Sequence, residues 1–275
     1  MVESLVQSCL RQRALEALLL TDPRDKVDAV TALGAHWRSG SGVIDASRVL
    51  GEPPGVPGRP ARPRRVAPER LERRSMHTEQ GRAALLHALA HIEFNAINLA
   101  LDAIWRFPGL PDAFYRDWLS VAEEEAYHFT LLSDHLGTLG YVYGDFPAHD
   151  GLWEMAERTR ADVLARIALV PRTLEARGLD ASPPIRRKLE QAGDLAAARI
   201  LDVILRDEIG HVRIGNHWFR WLCERAGIAP LSTYARLASE YRAPRLKGPF
   251  NVDARRAAGF DDAELAALNH PDALL

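Results

Sequence analysis

Two segments of this sequence place a glutamate three residues before a histidine. They are Glu125 and His128 in EEEAYH (123–128), and Glu208 and His211 in RDEIGH (206–211). Three residues make nearly one helical turn, so each pair emerges on one helix face. In both segments that face is apolar. Val121, Glu125, His128 and Leu132 form one stripe; Leu201, Ile204, Glu208, His211 and Gly215 form the other. A carboxylate and an imidazole inside an apolar stripe are costly unless something pairs with them. A metal ion satisfies both at once. Either pair alone reads as a surface or satisfied core histidine. Two of them at mid-helix, each preceded by a second acid (Glu124 or Asp207), point to metal chemistry.

The elements that must position these residues follow from periodicity and breakers. HTEQGRAALLHALAHIEFNAINLALDAIWRF predicts a long helix, stopped by PGLP at 108–111. DAFYRDWLSVAEEEAYHFTLLSDHLGTLG predicts a second, ended by Gly137 or Gly140. LWEMAERTRADVLARIALVPRTLEAR reads as a third, bent at Pro171. GLDASPP is expected to break it, and IRRKLEQAG to form a short helix. Asp194 then caps a last long helix. Strand signals are scarce. Glu93 precedes Glu125 by 32 residues (125 − 93), with the PGLP turn near the midpoint. At about 1.5 Å per residue the two sit at similar depth from that turn. Glu175 precedes Glu208 by 33 (208 − 175), with Gly193 between them. The expectation is an all-α four-helix bundle over 78–225. Its inward ligands are Glu93, Glu125, His128, Glu175, Glu208 and His211. Glu175 is the least secure, and Glu154, Glu157 and Asp162 are its rivals.

Flanking this bundle, residues 1–50 read as a helical extension, with Leu5, Leu10, Leu15 and Leu19 on the first helix. Thr21 or Asp22 is the expected cap of the second. Residues 51–77 read as a Pro/Arg-rich arm: six prolines lie in 51–70, and seven arginines between Arg59 and Arg74. A solvated arm laid over an acidic surface is the simple reading of that run, and an RNA- or phosphate-binding strip the sharper one. Residues 226–275 form a tail packed on the bundle. The chain has 275 residues, is 47% hydrophobic and carries a net charge of −2, which argues against a general nucleic-acid binder. Cys9 and Cys223, without a motif, suit a reducing compartment. No secretory leader or run of 18 apolar residues is evident, so a cytoplasmic location without a membrane span is expected.

HIEFNAINLALDAIWRF, VAEEEAYHF, YGDFPAHDGLW, LEARGLD and RDEIGHVRIGNHWF resemble a bacterial ferritin-like family of unknown function. More broadly, a Glu from each of two helices and Glu-x-x-His from each of two others resembles the ferritin-like di-iron carboxylate superfamily. LEAR is more distantly similar to the di-iron tRNA hydroxylases. The resemblance implies two iron ions, with manganese an option at either position, one held by each histidine. It implies that Asp207 orients His128 and Glu124 orients His211; Glu123, which points away from Glu125, reads as lying on a solvated face. It implies an O2-dependent hydroxylase or oxidase acting on a small organic substrate. The alternatives are a ferroxidase or peroxide scavenger and a tRNA-modifying hydroxylase, the last using the Arg59–Arg74 arm. A homodimer is compatible with this reading.

Other chemistry-bearing residues get structural expectations. His87 and His91 read as capping or core residues. Trp153, Trp218, Phe219 and Trp221 read as core, and Tyr115 and Tyr127 as buried structural tyrosines.

Overall fold

The computed structural model describes residues 9–269 apart from 41 and 73. Leu5 and residues 270–275 of the expected tail lie outside that set. Among the described residues every regular element is helical, and the only β-pairing is a single bridge between Arg65 and Ala148. The all-α expectation therefore holds. The chain divides into two compact units, Met1–Asp150 and Gly151–Leu275.

The first unit is built on a hairpin of α3 (Glu79–Arg106) and α4 (Asp112–Thr138). Thr78 caps α3 by accepting from Gly81 N at 3.1 Å. The turn at 107–111 uses Gly109 at φ 75°, a conformation that glycine adopts without steric cost. Against this hairpin pack α1 (Leu10–Leu19) on α3 and α2 (Pro23–Arg38) on α4. Asp22, with Pro23 at the first helical position, is the cap of α2; it accepts from Arg24 N at 2.8 Å.

Two buried cations lock the small helices down. Arg11 donates to the last-turn carbonyls of α3, Ile104 at 3.1 Å and Trp105 at 2.7 Å. A cation there satisfies orphan carbonyls and complements the helix dipole. Lys26 donates to Leu18 O, Gly58 O and Asn98 Oδ1, one acceptor for each ammonium proton.

Residues 51–77 form no helix longer than the single turn Pro68–Arg70, as their prolines dictate. Arg62, Arg64, Arg65 and Arg70 are exposed, while Arg59 and Arg74 are engaged. Arg59 pairs with Asp150 at 2.8 Å with its side chain only 12% exposed. Arg74 pairs with Glu72 and lies over the Phe146 ring. A Cβ on Gly58 would meet the Leu19 carbonyl oxygen at 2.0 Å, which is why the arm can lie directly on α1.

By length and composition α3 could cross a membrane, with mean hydropathy 1.3 over its best window. It carries buried His87, His91, Glu93, Asn95, Asn98 and Asp102, and 72% of that window is buried, so it reads as a core helix.

The second unit departs from expectation in its first half. The third helix is not continuous from Leu152. It is split into α5 (Gly151–Arg158) and α6 (Val163–Leu169). Asp162 starts α6 as its cap, accepting from Ala165 N at 3.1 Å. A π-helical turn, Val170–Glu175, follows at Pro171. Pro171 has no N–H to continue the ladder, so the backbone widens there rather than simply bending.

GLDASPP does not break the helix. It lies inside α7 (Ala176–Gln191), with Pro183 and Pro184 in the interior. The carbonyl that Pro183 cannot bond is that of Leu179, four residues back. Leu179 O instead accepts from Asn251 Nδ2 at 3.1 Å. Tertiary structure thus offsets what the sequence rule counts as a break.

Helix α8 (Leu195–Ala226) is capped by Asp194, as expected, and ends at Gly227 with φ 65°. α9 (Pro230–Glu240), α10 (Val252–Ala257) and α11 (Asp262–Asn269) complete the unit. The tail packs through Ala254, Ala258, Phe260 and Leu265 on Ala176, Leu179 and Val212. Buried charge pins it too. Arg255 forks onto Asp180, while Arg172 pairs with Glu264 and donates to Asn216 Oδ1 at 2.8 Å.

Candidate metal centre

Two adjacent helices of the first unit supply three ligand-type side chains. Glu93 projects from the middle of α3; Glu125 and His128 project from the middle of α4. All three are buried, Glu93 at 4% exposure and the other two at 0%. His128 Nδ1 lies 3.4 Å from Glu93 Oε2 and 3.4 Å from Glu125 Oε2. One ligand atom from each lies within 4.8 Å of the others, so this group could hold a metal ion. The sequence pattern explains the placement. Glu125 and His128 share a stripe with Val121 and Leu132, all buried. Glu93 shares its face with buried Ile97 and Ala100.

The electrostatics are those of a site built for a cation. Burial pushes the Glu93 carboxyl well above the ordinary range, and the Glu125 charge pushes it further. For His128, burial pulls the imidazole down, but Glu125 and Glu93 more than offset this and hold it up at about 11. With no metal, His128 therefore favours the imidazolium form at neutral pH, and Glu93 keeps its proton to higher pH than an ordinary carboxyl does.

In the second unit, Glu208 and His211 occupy one face of α8, 7% and 1% exposed, with His211 Nδ1 3.8 Å from Glu208 Oε1. Leu201, Ile204 and Gly215 of the predicted stripe are likewise buried. Glu175 closes the π-helical turn and is half-buried. Its rivals are placed otherwise: Glu154 is exposed, Glu157 accepts from Trp153 Nε1 at 3.2 Å, and Asp162 is the α6 cap.

The flanking acids differ from one another. Asp207 is bound by Arg206 at 2.7 and 3.0 Å. Glu124 is half-buried. Glu123 is not on a solvated face. It accepts from Arg38 at 2.6 Å, and a Cβ on Gly34 of α2 would collide with its carboxylate at 1.9 Å. The contact of α2 with α4, invisible in sequence, covers that residue.

His87 and His91 are core residues as expected. Gly144 N donates to His87 Nε2 at 2.9 Å; His91 Nδ1 lies 2.8 Å from Tyr143 OH, and Asn95 lies on its other nitrogen. Burial lowers their affinity for protons, to about 4 and about 3. Tyr115 is fully buried and donates to Phe107 O, but Tyr127 is 53% exposed, contrary to expectation. Residue 127 lies between two inward positions, 125/126 and 128, and its own direction points out of the stripe. Trp153, Trp218 and Phe219 are buried, while Trp221 is half-buried. Both cysteines are buried and free.

Fold and site together define an all-helical protein with a buried glutamate–histidine group suited to a metal ion. The chain belongs to the family described as "Protein of unknown function (DUF455)", which matches residues 19–266. It is 55% identical over 213 residues to an uncharacterised protein of Haemophilus influenzae, covering 75% of this chain and 74% of that one. No solved structure matches it.

Proposed function

We propose that this protein is a di-metal carboxylate oxidoreductase of the ferritin-like class, using O2 to oxidise a small organic substrate. Glu93, Glu125 and His128 would hold one metal ion. Glu208 and His211, with Glu175, would hold the second. The observation that carries the reading is the buried Glu93–Glu125–His128 group: three ligand-type side chains in apolar surroundings, with geometry that a cation would complete.

The donor set fits iron or manganese. It is all oxygen and nitrogen, without thiolate, and its ligands outnumber those of a closed structural zinc site. Bound iron would supply the redox chemistry with O2. The chain's own residues do the rest. His128 would give up its proton when a cation enters, which limits the charge that accumulates in the buried group. Apolar neighbours exclude water from the site. Asp207 and Glu124 would orient the two histidines through their outer nitrogens.

The test is anaerobic Fe(II) titration of the full chain, followed by O2 uptake and optical and Mössbauer spectra. Wild type should bind about two equivalents, and His128→Ala or His211→Ala about one each, because each histidine serves one metal. Wild type that binds under about half an equivalent would sink the metal reading. Rapid O2 uptake that deposits ferric iron, with no gain from any organic reductant, would favour a ferroxidase over an oxygenase. The tRNA-hydroxylase alternative draws little support from the arm, where Arg59 and Arg74 are already engaged in ion pairs.

A further inference from the structure

The second unit contains a cavity of about 220 Å³ that plays no part in the metal reading. It is lined by α9, by the segment 243–246 and by α11. Its deepest residues are Arg172, Arg255, Phe260 and Glu264, exposed by 4, 0, 7 and 7%. Its walls are apolar: Leu231, Ala235, Ala238 and Leu268. The charged lining residues are Arg172, Arg245 and Arg255 against Glu264 alone, so they sum to +2 (3 − 1).

The hydrogen bonds of the two deep arginines differ. Arg172 uses Nε on Asn216 and Nη2 on Glu264. Arg255 uses Nε and Nη2 as a fork on Asp180, with Nη2 also reaching Ala176 O at 3.3 Å. Its Nη1 is buried and has no hydrogen-bond partner among the described residues. Leaving such a donor unsatisfied is costly, and native structures seldom do so without a ligand or functional reason. The rings of Phe250 and Phe260 flank this guanidinium at 5.2 and 5.3 Å; they hold it in place but accept no hydrogen bond in its plane.

We propose that this cavity binds a small organic carboxylate, its anionic head at the positively charged floor, where Arg255 shifts to bring Nη1 to it, and its apolar body along Leu231, Ala235, Ala238 and Leu268. Nη2 already serves Asp180 and Ala176 O, so a carboxylate oxygen would accept from Nη1 alone, as a charge-assisted hydrogen bond. A dianionic phosphate fits less well, because Glu264 lies in the same floor and repels a second negative charge. Size sets the class further. A dry cavity of roughly 150 Å³ accepts benzene, so this one takes about nine non-hydrogen atoms inside its walls. That suits a medium-chain fatty acid or an aryl carboxylate. The inference rests on the second unit alone and stands or falls independently of the metal site.

The test titrates the full chain, as purified, with octanoate, 1-octanol and acetate by calorimetry. Octanoate should bind one per chain and at least about tenfold more tightly than either of the others, because it alone supplies both head and body. Ala238→Phe fills the cavity from half-buried α9 without touching Arg255. It should weaken octanoate by about tenfold or more while circular dichroism is unchanged. Arg255→Lys should weaken octanoate and leave 1-octanol as it was. Octanoate binding no tighter than 1-octanol would overturn the carboxylate assignment. Equal octanoate affinity in Ala238→Phe would overturn the cavity itself.

Discussion

Metal binding to the Glu93–Glu125–His128 group should expel protons, and the structure shows which groups hold them. In the metal-free protein burial and the Glu125 charge hold Glu93 protonated well above its ordinary pKa. Burial pulls His128 down, but the two glutamates hold it up at about 11. A divalent ion needs both groups deprotonated. At pH 7–8 its entry should therefore release the His128 proton, together with whatever proton occupancy burial leaves on Glu93. Affinity should then rise about 100-fold per pH unit where both remain protonated.

The sign for stability follows from the same protons. His128 binds its proton more tightly folded than unfolded. Its stabilising contribution is complete below pH 6.5 and is lost as pH rises toward about 11. Raised Glu93 acts in the same direction, losing its contribution as pH rises above the ordinary carboxyl range. Each proton difference is worth about 1.4 kcal/mol per pH unit. Lys26 opposes them, since burial lowers it to about 7 and its contribution grows with pH from there toward 10.5. A melting curve against pH mixes these effects, whereas a metal-linked proton count does not.

The assay is calorimetric Mn(II) titration at pH 7.5 in buffers of different ionisation enthalpy. Mn(II) avoids oxidation. Glu93→Gln should release fewer protons than wild type. If Mn(II) affinity is flat from pH 6.5 to 8.5, or if Glu93→Gln releases as many protons as wild type, this protonation scheme is wrong.

Two further perturbations probe how the second unit is held. On α8, a Cβ at Gly215 would meet Pro171 Cβ at 2.9 Å, and the proline ring has little freedom to yield. Gly215→Ala should destabilise the protein by about 1–3 kcal/mol in urea unfolding, and an unchanged midpoint would show that the π-helical turn moves freely. Asn251→Ala removes both the α10 cap at Ala254 N and the donor to Leu179 O. It should cost about 1–3 kcal/mol; Pro183→Ala in the same background, by restoring an N–H four residues after Leu179, should recover part of that loss.

Local spacing made much of this protein legible in its sequence. A glutamate and a histidine three apart in an apolar stripe must share the buried face of a helix, and Glu125, His128, Glu208 and His211 all do. Caps were equally readable, because Asp22 and Asp194 act on backbone groups two or three residues away. Glu93 could be placed beside Glu125 because a hairpin with a known turn fixes relative depth.

What failed depended on partners distant in the chain. GLDASPP reads as a helix breaker because proline leaves a carbonyl unpaired, yet Asn251, 72 residues beyond Leu179, satisfies it. Glu123 reads as solvated until Arg38 and Gly34 of α2 arrive beside it. The arm reads as lying over an acidic surface, but that Asp150 is the acid Arg59 meets could not be read from the sequence. The cavity beneath α9 has no motif at all, because it is assembled from α9, the segment 243–246 and α11. Sequence determines what each turn of helix presents; only the tertiary structure decides which distant group meets it.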